Sequence, residues 1–369
     1  MPVSHDPRLE MRAHRRPVMN AVASHENFIS VKYGFILALI LSPILSFAMV
    51  AEKRSDRLFL RDNDCSLLIN SVMSLKKWTE ATEGRSACSS ISRTNLVKGC
   101  EIDITDCVPA HVLKYQGVAA KEEGPNCYNL ALVMKGILPA LRFSPSDEMS
   151  FYMRPPLCRA LNDNEQRKPG DVGAIREAGI NAEVHGFIYI DENVAYTKNG
   201  NEIQPYMLDS FKELVKGYAL TENPACWTSA KSKPPECKKT VSYFRCDSME
   251  DYLKKNPDLS PEILKIFDQV ENFEECLSDS AVHGKMLSAE AKSSIVNTSK
   301  ALVFYLRSER AKHEIGKNPE NDFILGALQL RLRGIAGQLN TMEQENLADT
   351  VWDLNAMVRK SAEDLKSSN

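Results

Sequence analysis

Residues 124–129 read Gly-Pro-Asn-Cys-Tyr-Asn, and the apolar run Leu-Ala-Leu-Val-Met follows at residues 130–134. Asn126 is a good helix N-cap, because its side-chain oxygen accepts hydrogen bonds from the free N–H groups of a first turn. The pattern predicts a helix that begins at Cys127 and buries its apolar side. The helix dipole and the free N–H groups favour a thiolate at that position. Cys127 is therefore a candidate nucleophile.

Residues 184–190 read Val-His-Gly-Phe-Ile-Tyr-Ile, a β-branched and aromatic run that predicts a strand. Alternation along a strand places His185, Phe187 and Tyr189 on one face. A histidine beside a cysteine can accept the thiol proton and later return it to a leaving group. We predict that His185 is this general base; the simpler alternative is a structural histidine of the sheet.

The third member of the site follows from the geometry of the next hairpin. If residues 191–193 form a three-residue loop, His185 lies opposite Asn199, and Thr197 points to the same face. Asn199 is the first choice for orienting the imidazole, and Thr197 is the second. A slip of one residue would present Lys198 instead.

Ten cysteines indicate an oxidising compartment and several disulfides, at positions 65, 88, 100, 107, 127, 158, 226, 237, 246 and 276. If Cys127 is catalytic, nine cysteines remain and one of them must be unpaired. The alternative is five disulfides and no free thiol, with Cys127 bonded, for example, to Cys158.

The N-terminus indicates export. Residues 35–51 form an uncharged apolar run after several basic residues, and Ser46-Phe47-Ala48 fits a cleavage site for a secretory signal. We predict a signal peptide over residues 1–48 and a secreted or periplasmic protein with no stable membrane span after cleavage. A retained membrane anchor is the alternative.

Three further segments follow from the pattern. Residues 49–111 are predicted to be a cysteine-rich helical segment, and residues 112–247 combine one helix with several short strands. Residues 248–369 show apolar stripes at helical spacing, which predict a helical bundle whose partner is unknown.

Composition excludes some classes of function. The formal net charge is -3, which gives no basic field for nucleic acid. The spacing of Cys226, Cys237 and Cys246 is unlike that of compact zinc motifs, so no metal is expected. No cofactor is expected either.

The order of these motifs resembles the NlpC/P60 and CHAP branch of the papain-like thiol hydrolases. Such enzymes have a tyrosine about a dozen residues before the cysteine, then a Pro-Gly-Asp strand, found here at residues 169–171, and then a histidine strand. The resemblance covers about residues 112–218. It departs where Asn126-Cys127-Tyr128 replaces Asp-Cys-Ser, and where Gly186 follows the histidine directly.

The resemblance implies an α+β fold, with a papain-like core of a helix and an antiparallel sheet followed by the helical bundle. It also implies cleavage of an amide bond in peptidoglycan, as an endopeptidase or amidase, through attack by Cys127, an acyl-thioester and hydrolysis assisted by His185. Tyr115, by its position in the motif, and Asn126 are the expected substrate or oxyanion residues.

Two other functions stay open. The first is a non-catalytic, disulfide-rich binding or structural protein on a papain-like scaffold, in which Cys127 is locked in a disulfide. The second is a thiol acyltransferase, which uses the same cysteine and histidine but passes the acyl group to an amine. That class usually has an acidic third residue, and none stands opposite His185 in the predicted register.

Overall fold

The computed structural model describes residues 49–367, apart from residues 85–87, 89–92, 97–98, 163, 178–182, 201, 219–222, 224–225, 227–235, 238 and 316–317. The predicted signal peptide lies outside the described residues. The described chain is mixed α+β, with two antiparallel sheets and many helices, which confirms the predicted fold class at this level.

The first sheet is built by the segment that was predicted to be helical. Its strands are β1 (Val50–Arg54), β2 (Arg57–Asp62), β3 (Arg93–Leu96) and β4 (Gly99–Asp103), in the order β1-β2-β4-β3. Helix α1 (Cys65–Glu83) is the only long helix of this segment in its described residues. The purely helical prediction is thus wrong. In β2, buried Leu58 and Leu60 alternate with more exposed Arg57, Phe59 and Arg61, a short pattern of period two.

The second sheet has six strands in the order β5-β10-β6-β7-β8-β9. The strands are β5 (Cys158–Ala160), β6 (Val172–Glu177), β7 (Glu183–Tyr189), β8 (Val194–Lys198), β9 (Tyr206–Ser210) and β10 (Lys239–Cys246). Neighbouring strands are antiparallel. The strand predicted around His185 is therefore confirmed as β7, near the middle of this sheet.

Short helices surround the second sheet, and longer ones follow it. The helices before residue 248 are α2 (Ala110–Tyr115), α3 (Cys127–Met134), α4 (Ser146–Tyr152) and α5 (Phe211–Gly217). Those after it are α6 (Met249–Lys255), α7 (Pro261–His283), α8 (Ala289–Leu306), α9 (Glu309–Glu314), α10 (Pro319–Thr341) and α11 (Glu345–Ser367). The helical prediction for the C-terminal segment is confirmed. In the described part of the chain, no helix has both the length and the apolar composition needed to cross a membrane.

All ten cysteines are described, and eight of them form disulfides: Cys65–Cys100, Cys88–Cys107, Cys158–Cys246 and Cys226–Cys237. Cys127 and Cys276 are free. The alternative bond between Cys127 and Cys158 is wrong, because β5 and β10 pair Cys158 directly with Cys246.

The C-terminal helices pack directly on the segment that follows α3. Arg142 donates to Glu148 and to Glu274 on α7, and Arg331 on α10 donates to Glu274 and Glu271. We call these five side chains the arginine cluster. Both arginines, Glu148 and Glu274 have no exposed side-chain surface. The bundle and the sheet segment therefore share a buried ionic interface.

Candidate active site

Helix α3 begins as the sequence predicts. Asn126 is its N-cap, and the Asn126 side-chain oxygen accepts from the backbone N–H of Asn129 at 3.0 Å. The amide nitrogen of Asn126 donates to the backbone oxygen of Ser144 at 2.6 Å. Both the oxygen and the nitrogen of the buried Asn126 side chain thus form hydrogen bonds within the protein. The structure gives Asn126 the role of a helix cap, and its predicted contact with substrate stays a prediction.

Cys127 is a free thiol in the first turn of α3, with 4% of its surface exposed. Burial raises the pKa of this thiol to about 11. Hydrogen bonds from the backbone N–H groups of Gly186 and Tyr128, and the charge of Lys198, oppose the increase. In the closed geometry described here, Cys127 is a neutral thiol at neutral pH.

Gly186 on β7 is the point at which α3 meets the sheet. A Cβ atom at residue 186 would lie 3.3 Å from the backbone oxygen of Cys127 and 3.4 Å from the Cα of Tyr128. Only glycine accommodates this approach without displacement, so the glycine next to His185 brings the N-terminus of α3 onto the strand. The Tyr128 hydroxyl donates to the backbone oxygen of Glu183 at 2.7 Å and ties the helix to the start of β7.

The predicted hairpin register is confirmed, but the predicted choice of third residue is not. Ile188 pairs with Tyr196 and Tyr189 with Ala195, as a three-residue loop requires. His185 Nε2 lies 2.8 Å from the Thr197 hydroxyl oxygen. Thr197, the second choice, is therefore the residue that orients the imidazole.

Asn199, the first choice, lies beyond the end of β8 and is exposed. Its side-chain oxygen accepts from the Tyr218 hydroxyl at 3.4 Å. The β7–β8 ladder stops at Ile188 and Tyr196, before it reaches the position opposite His185. Because the ladder ends there, the diagonal neighbour on the same face contacts the ring, and the directly opposed residue does not.

His185 is fully buried on the face of the sheet opposite α3. Its ring lies 3.9 Å, centroid to centroid, from the ring of half-buried Tyr218, and it stacks on Phe187 at 6.3 Å. Burial lowers the pKa of His185 to about 3, so the imidazole is neutral. Within the described residues, its Nδ1 atom has no hydrogen-bond partner. The same burial that keeps the imidazole neutral makes it a weak base.

Two residues that the sequence interpretation did not assign also belong to the site. Burial lowers the pKa of Lys198 to about 8 and raises that of Tyr218, and ionisation of Cys127 would raise the pKa of both. From the sequence, Lys198 was a candidate only if the hairpin register shifted by one residue, and no motif included Tyr218. We call Cys127, His185, Thr197 and Lys198 the thiol cluster. Cys127 and Lys198 lie on one face of the sheet and His185 and Thr197 on the other, so the structure does not bring the predicted nucleophile and the predicted base together.

Tyr115 lies away from this cluster. Its ring is 5.8 Å from that of Tyr206, and the Lys114 ammonium lies 4.8 Å from its centroid. Tyr115 lines a cavity of about 550 Å³ near the C-terminal end of α3, together with His111, Glu271 and other residues. The lining of this cavity includes neither Cys127 nor His185. The structure does not bring Tyr115 together with the predicted nucleophile.

Within the described residues, no group of three or more His, Cys, Asp or Glu side chains is arranged to hold a metal ion. Comparison with known proteins adds no further assignment. No family model, no curated protein and no solved structure matches the chain.

Proposed function

We propose that the protein is a thiol hydrolase that cleaves an amide bond, with Cys127 as nucleophile and His185 as general acid and base. The observation that supports this most strongly is that Cys127 stays unpaired at a helix N-terminus, although eight other cysteines are paired. Its helix meets the sheet at Gly186, the residue that follows His185 in the chain, and the Nδ1 atom of His185, on the other face of the sheet, has no partner among the described residues.

The proposed reaction follows from the states of these groups. Because His185 and Cys127 lie on opposite faces of the sheet, the proposed reaction requires a rearrangement that brings the imidazole to the sulfur. In that arrangement, neutral His185 accepts the proton of the Cys127 thiol as the sulfur attacks the amide carbon. The carbon–nitrogen bond then breaks, the imidazolium gives its proton to the leaving amine, and an acyl-thioester remains. Water, deprotonated by His185, hydrolyses the thioester and regenerates the thiol. Thr197 holds the imidazole through Nε2 and leaves Nδ1 for the proton transfers.

The proposed substrate is the stem peptide of peptidoglycan, and the proposed location is outside the cytoplasm. The substrate rests on the resemblance of the cysteine and histidine motifs to the NlpC/P60 and CHAP enzymes. The location is supported by the four disulfides and by the apolar segment at residues 35–51. Because Cys127 is 4% exposed, substrate can reach the sulfur only after the site opens.

The test is digestion of purified peptidoglycan, followed by mass spectrometry of the released fragments. We expect the wild-type protein to release peptides with new amino termini, and Cys127→Ala and His185→Asn to release none. Cys276→Ser is the matched control, because it removes the other, exposed free thiol. Equal release by the wild type and Cys127→Ala, or no release by either, contradicts the proposal.

The burial of the site favours a second candidate, a non-catalytic protein that holds Cys127 and His185 as core residues. Such a protein leaves no acyl-thioester. Trapping with hydroxylamine during incubation with peptidoglycan distinguishes the two candidates, because only the hydrolase yields an acyl-hydroxamate from its substrate. A hydroxamate that depends on Cys127 excludes the non-catalytic candidate.

A further inference from the structure

The cavity beside Tyr115 lies between segments that are distant in the chain. It has a volume of about 550 Å³, and its lining comes from α2, from α3 and the residues that follow it, and from α6 and α7. Small-molecule sites in proteins have volumes of about 300–1,000 Å³. None of the four residues of the thiol cluster is in the lining. The cavity is thus a second candidate site, separate from the candidate active site.

Much of the lining is aliphatic. The larger aliphatic side chains are those of Val133, Ile137, Leu138, Leu141, Met249 and Leu253. Ile137, Leu138 and Leu141 are buried, so the protein core holds this part of the wall in place. Such a wall favours an apolar chain, because each methylene group that leaves water strengthens binding.

Of the described lining residues, Lys114, Glu250 and Glu271 carry a charge, and two of these charges have other partners. The exposed Lys114 ammonium lies 4.8 Å from the centroid of the neighbouring tyrosine ring. The exposed Glu250 carboxylate accepts from the Lys254 ammonium at 2.6 Å. His111 adds no charge, because burial lowers its pKa to about 4. The charge that remains for a ligand is that of half-buried Glu271 on α7.

Glu271 belongs to the arginine cluster, in which every group has a partner but the charges do not balance. The cluster contains two guanidinium groups and three carboxylates, which leaves one negative charge when all are ionised. Glu271 accepts from Arg331 through Oε1 at 2.9 Å, and among the described residues no donor is bonded to its Oε2 atom. The side chains of Glu148 and Glu274 have no exposed surface, whereas that of Glu271 is 31% exposed. The surplus carboxylate is therefore the one that lines the cavity.

The pKa of Glu271 agrees with this charge balance. Burial raises the pKa, and the charges of Glu274 and Asp268 raise it further, although Arg331 acts in the opposite direction. A raised pKa means that the surroundings do not fully compensate the carboxylate. A cation in the cavity would compensate it.

We propose that the cavity binds a small organic ammonium ligand, with its N–H groups on the Glu271 carboxylate and its apolar chain against the aliphatic lining. The ammonium brings the positive charge that the arginine cluster lacks and donates a charge-assisted hydrogen bond to Oε2. An anionic ligand would be repelled by this surplus charge. The inference goes beyond the proposed function and uses no residue of the thiol cluster.

The experiment is isothermal titration calorimetry of the purified protein with octylammonium at about pH 7, where an alkylamine carries its proton. We expect a dissociation constant of about 0.1–1 mM, which is ordinary for a ligand of this size. Hexylammonium should bind about tenfold more weakly, because it places fewer methylene groups against the aliphatic lining. Octanoate has the wrong charge and octyltrimethylammonium has no N–H donor, so both should bind at least about tenfold more weakly than octylammonium.

Two matched variants test the assignment to Glu271. Glu271→Gln keeps Oε1 for Arg331 and balances the cluster at two guanidinium groups and two carboxylates, so we expect it to fold at wild-type stability. It should bind octylammonium at least about tenfold more weakly, because the charge is gone. Glu250→Gln makes the same change at the other lining carboxylate and should bind nearly as the wild type does. Cys127→Ala should bind as the wild type does.

The ligand series on the wild type needs no variant to fold. Absence of octylammonium binding, or equal affinity for octylammonium and octanoate, overturns the inference. Wild-type affinity in folded Glu271→Gln, or a larger loss in Glu250→Gln, also overturns it. Loss of binding in Cys127→Ala would move the ligand to the candidate active site and overturn it as well.

Discussion

The arginine cluster and the thiol cluster are both buried, but they differ in how completely their polar atoms are partnered. In the arginine cluster, Arg142 makes a bidentate contact with Glu148 at 2.7 and 2.9 Å and a further bond to Glu274 at 2.6 Å. Within the described chain, each buried polar atom of this cluster has a partner. Among the described residues of the thiol cluster, His185 Nδ1 has no partner, and the hydrogen bonds of the Lys198 ammonium go to the backbone oxygens of Gly200 and Glu202.

This difference distinguishes a cluster that stabilises the fold from one that has groups free to react. Buried polar groups in native proteins are nearly always satisfied, and exceptions need an explanation such as a catalytic role. The arginine cluster satisfies every group because it joins the C-terminal helices to the segment behind α3. The thiol cluster retains an unpartnered ring nitrogen, which costs stability. His111 Nε2 and the Tyr196 hydroxyl are unpartnered in the same way, so this atom supports a catalytic role only together with the free thiol of Cys127.

The largest expected effect comes from breaking the arginine cluster. Arg142→Met leaves Glu148 and Glu274 buried beside each other with one arginine fewer, and we expect a loss of about 3–5 kcal/mol in the free energy of unfolding. Urea denaturation measures it. Arg359→Met, at a side chain that is 73% exposed, is the matched control and should change stability little. Equal losses of unfolding free energy in the two variants would show that the buried ion pairs stabilise the protein no more than an exposed arginine does.

A smaller effect concerns pH and the histidine of the thiol cluster. The pKa of His185 is lowered by burial to about 3, so below the ordinary value of 6.5 the unfolded chain binds a proton that the native protein does not. Stability attributable to His185 is therefore fully present above that value and falls with falling pH. Between about pH 7 and about pH 5 the loss amounts to about 2 kcal/mol at most.

Urea denaturation at the two pH values, with His185→Asn, checks this expectation. His111, whose pKa burial lowers to about 4, acts in the same direction and contributes its own slope. The variant should reduce the pH dependence of the unfolding free energy, whereas His283→Asn, at an exposed position, should not. An unchanged slope in His185→Asn argues against a neutral, buried imidazole.

Removal of the Thr197 hydroxyl tests the orientation of the imidazole. Thr197→Val preserves the shape but leaves His185 Nε2 unpartnered, and we expect a loss of about 1 kcal/mol in stability. Peptidoglycan release should fall about tenfold to a hundredfold, because the ring loses its fixed orientation. Thr197→Ser keeps the hydroxyl and should retain most of the activity. Equal rates for the valine and serine variants would exclude a positioning role.

The smallest change in stability is expected at Gly186. An alanine there meets the Cys127 backbone oxygen and the Met149 side chain, each at 3.3 Å, so α3 must move by a few tenths of an ångström. We expect the unfolding free energy to change by no more than about 1 kcal/mol, because a more restricted backbone partly offsets the crowding.

In Gly186→Ala, we expect the rate of Cys127 alkylation to change more than the free energy of unfolding. Gly217→Ala is the control, because no heavy atom lies within 4 Å of its new Cβ. If both alanine variants leave the Cys127 rate unchanged, close packing of α3 on β7 does not govern the thiol.

Local sequence chemistry predicted the helix cap and the hairpin. Asn126 caps α3 because a short side-chain oxygen at that position reaches the first free N–H groups, whatever lies around it. The β7–β8 register followed from the length of the loop alone. The strands of residues 49–111 were missed because they are short and rich in charge, and their buried residues, such as Leu58 and Leu60, are only a few.

Two site assignments depended on information that local sequence does not contain. The choice between Asn199 and Thr197 depended on where the β7–β8 ladder ends. Tyr115 follows the motif in sequence, but its helix packs against Tyr206 and a cavity at the other end of α3. A motif specifies order along the chain, whereas distance in space depends on how the intervening elements pack.

The sequence by itself determined the mixed α+β class, the start of α3 at Cys127, the strand that contains His185 and the pairing of the hairpin that follows it. These features depend on residues within one or two turns of each other, and their hydrogen bonds are local. Only the tertiary structure decided which cysteines stay free, that Thr197 orients His185, and that the charge of Lys198 acts on the thiol. Each of these depends on burial and on contacts between distant segments, which set the pKa values and the unpartnered atoms of the site.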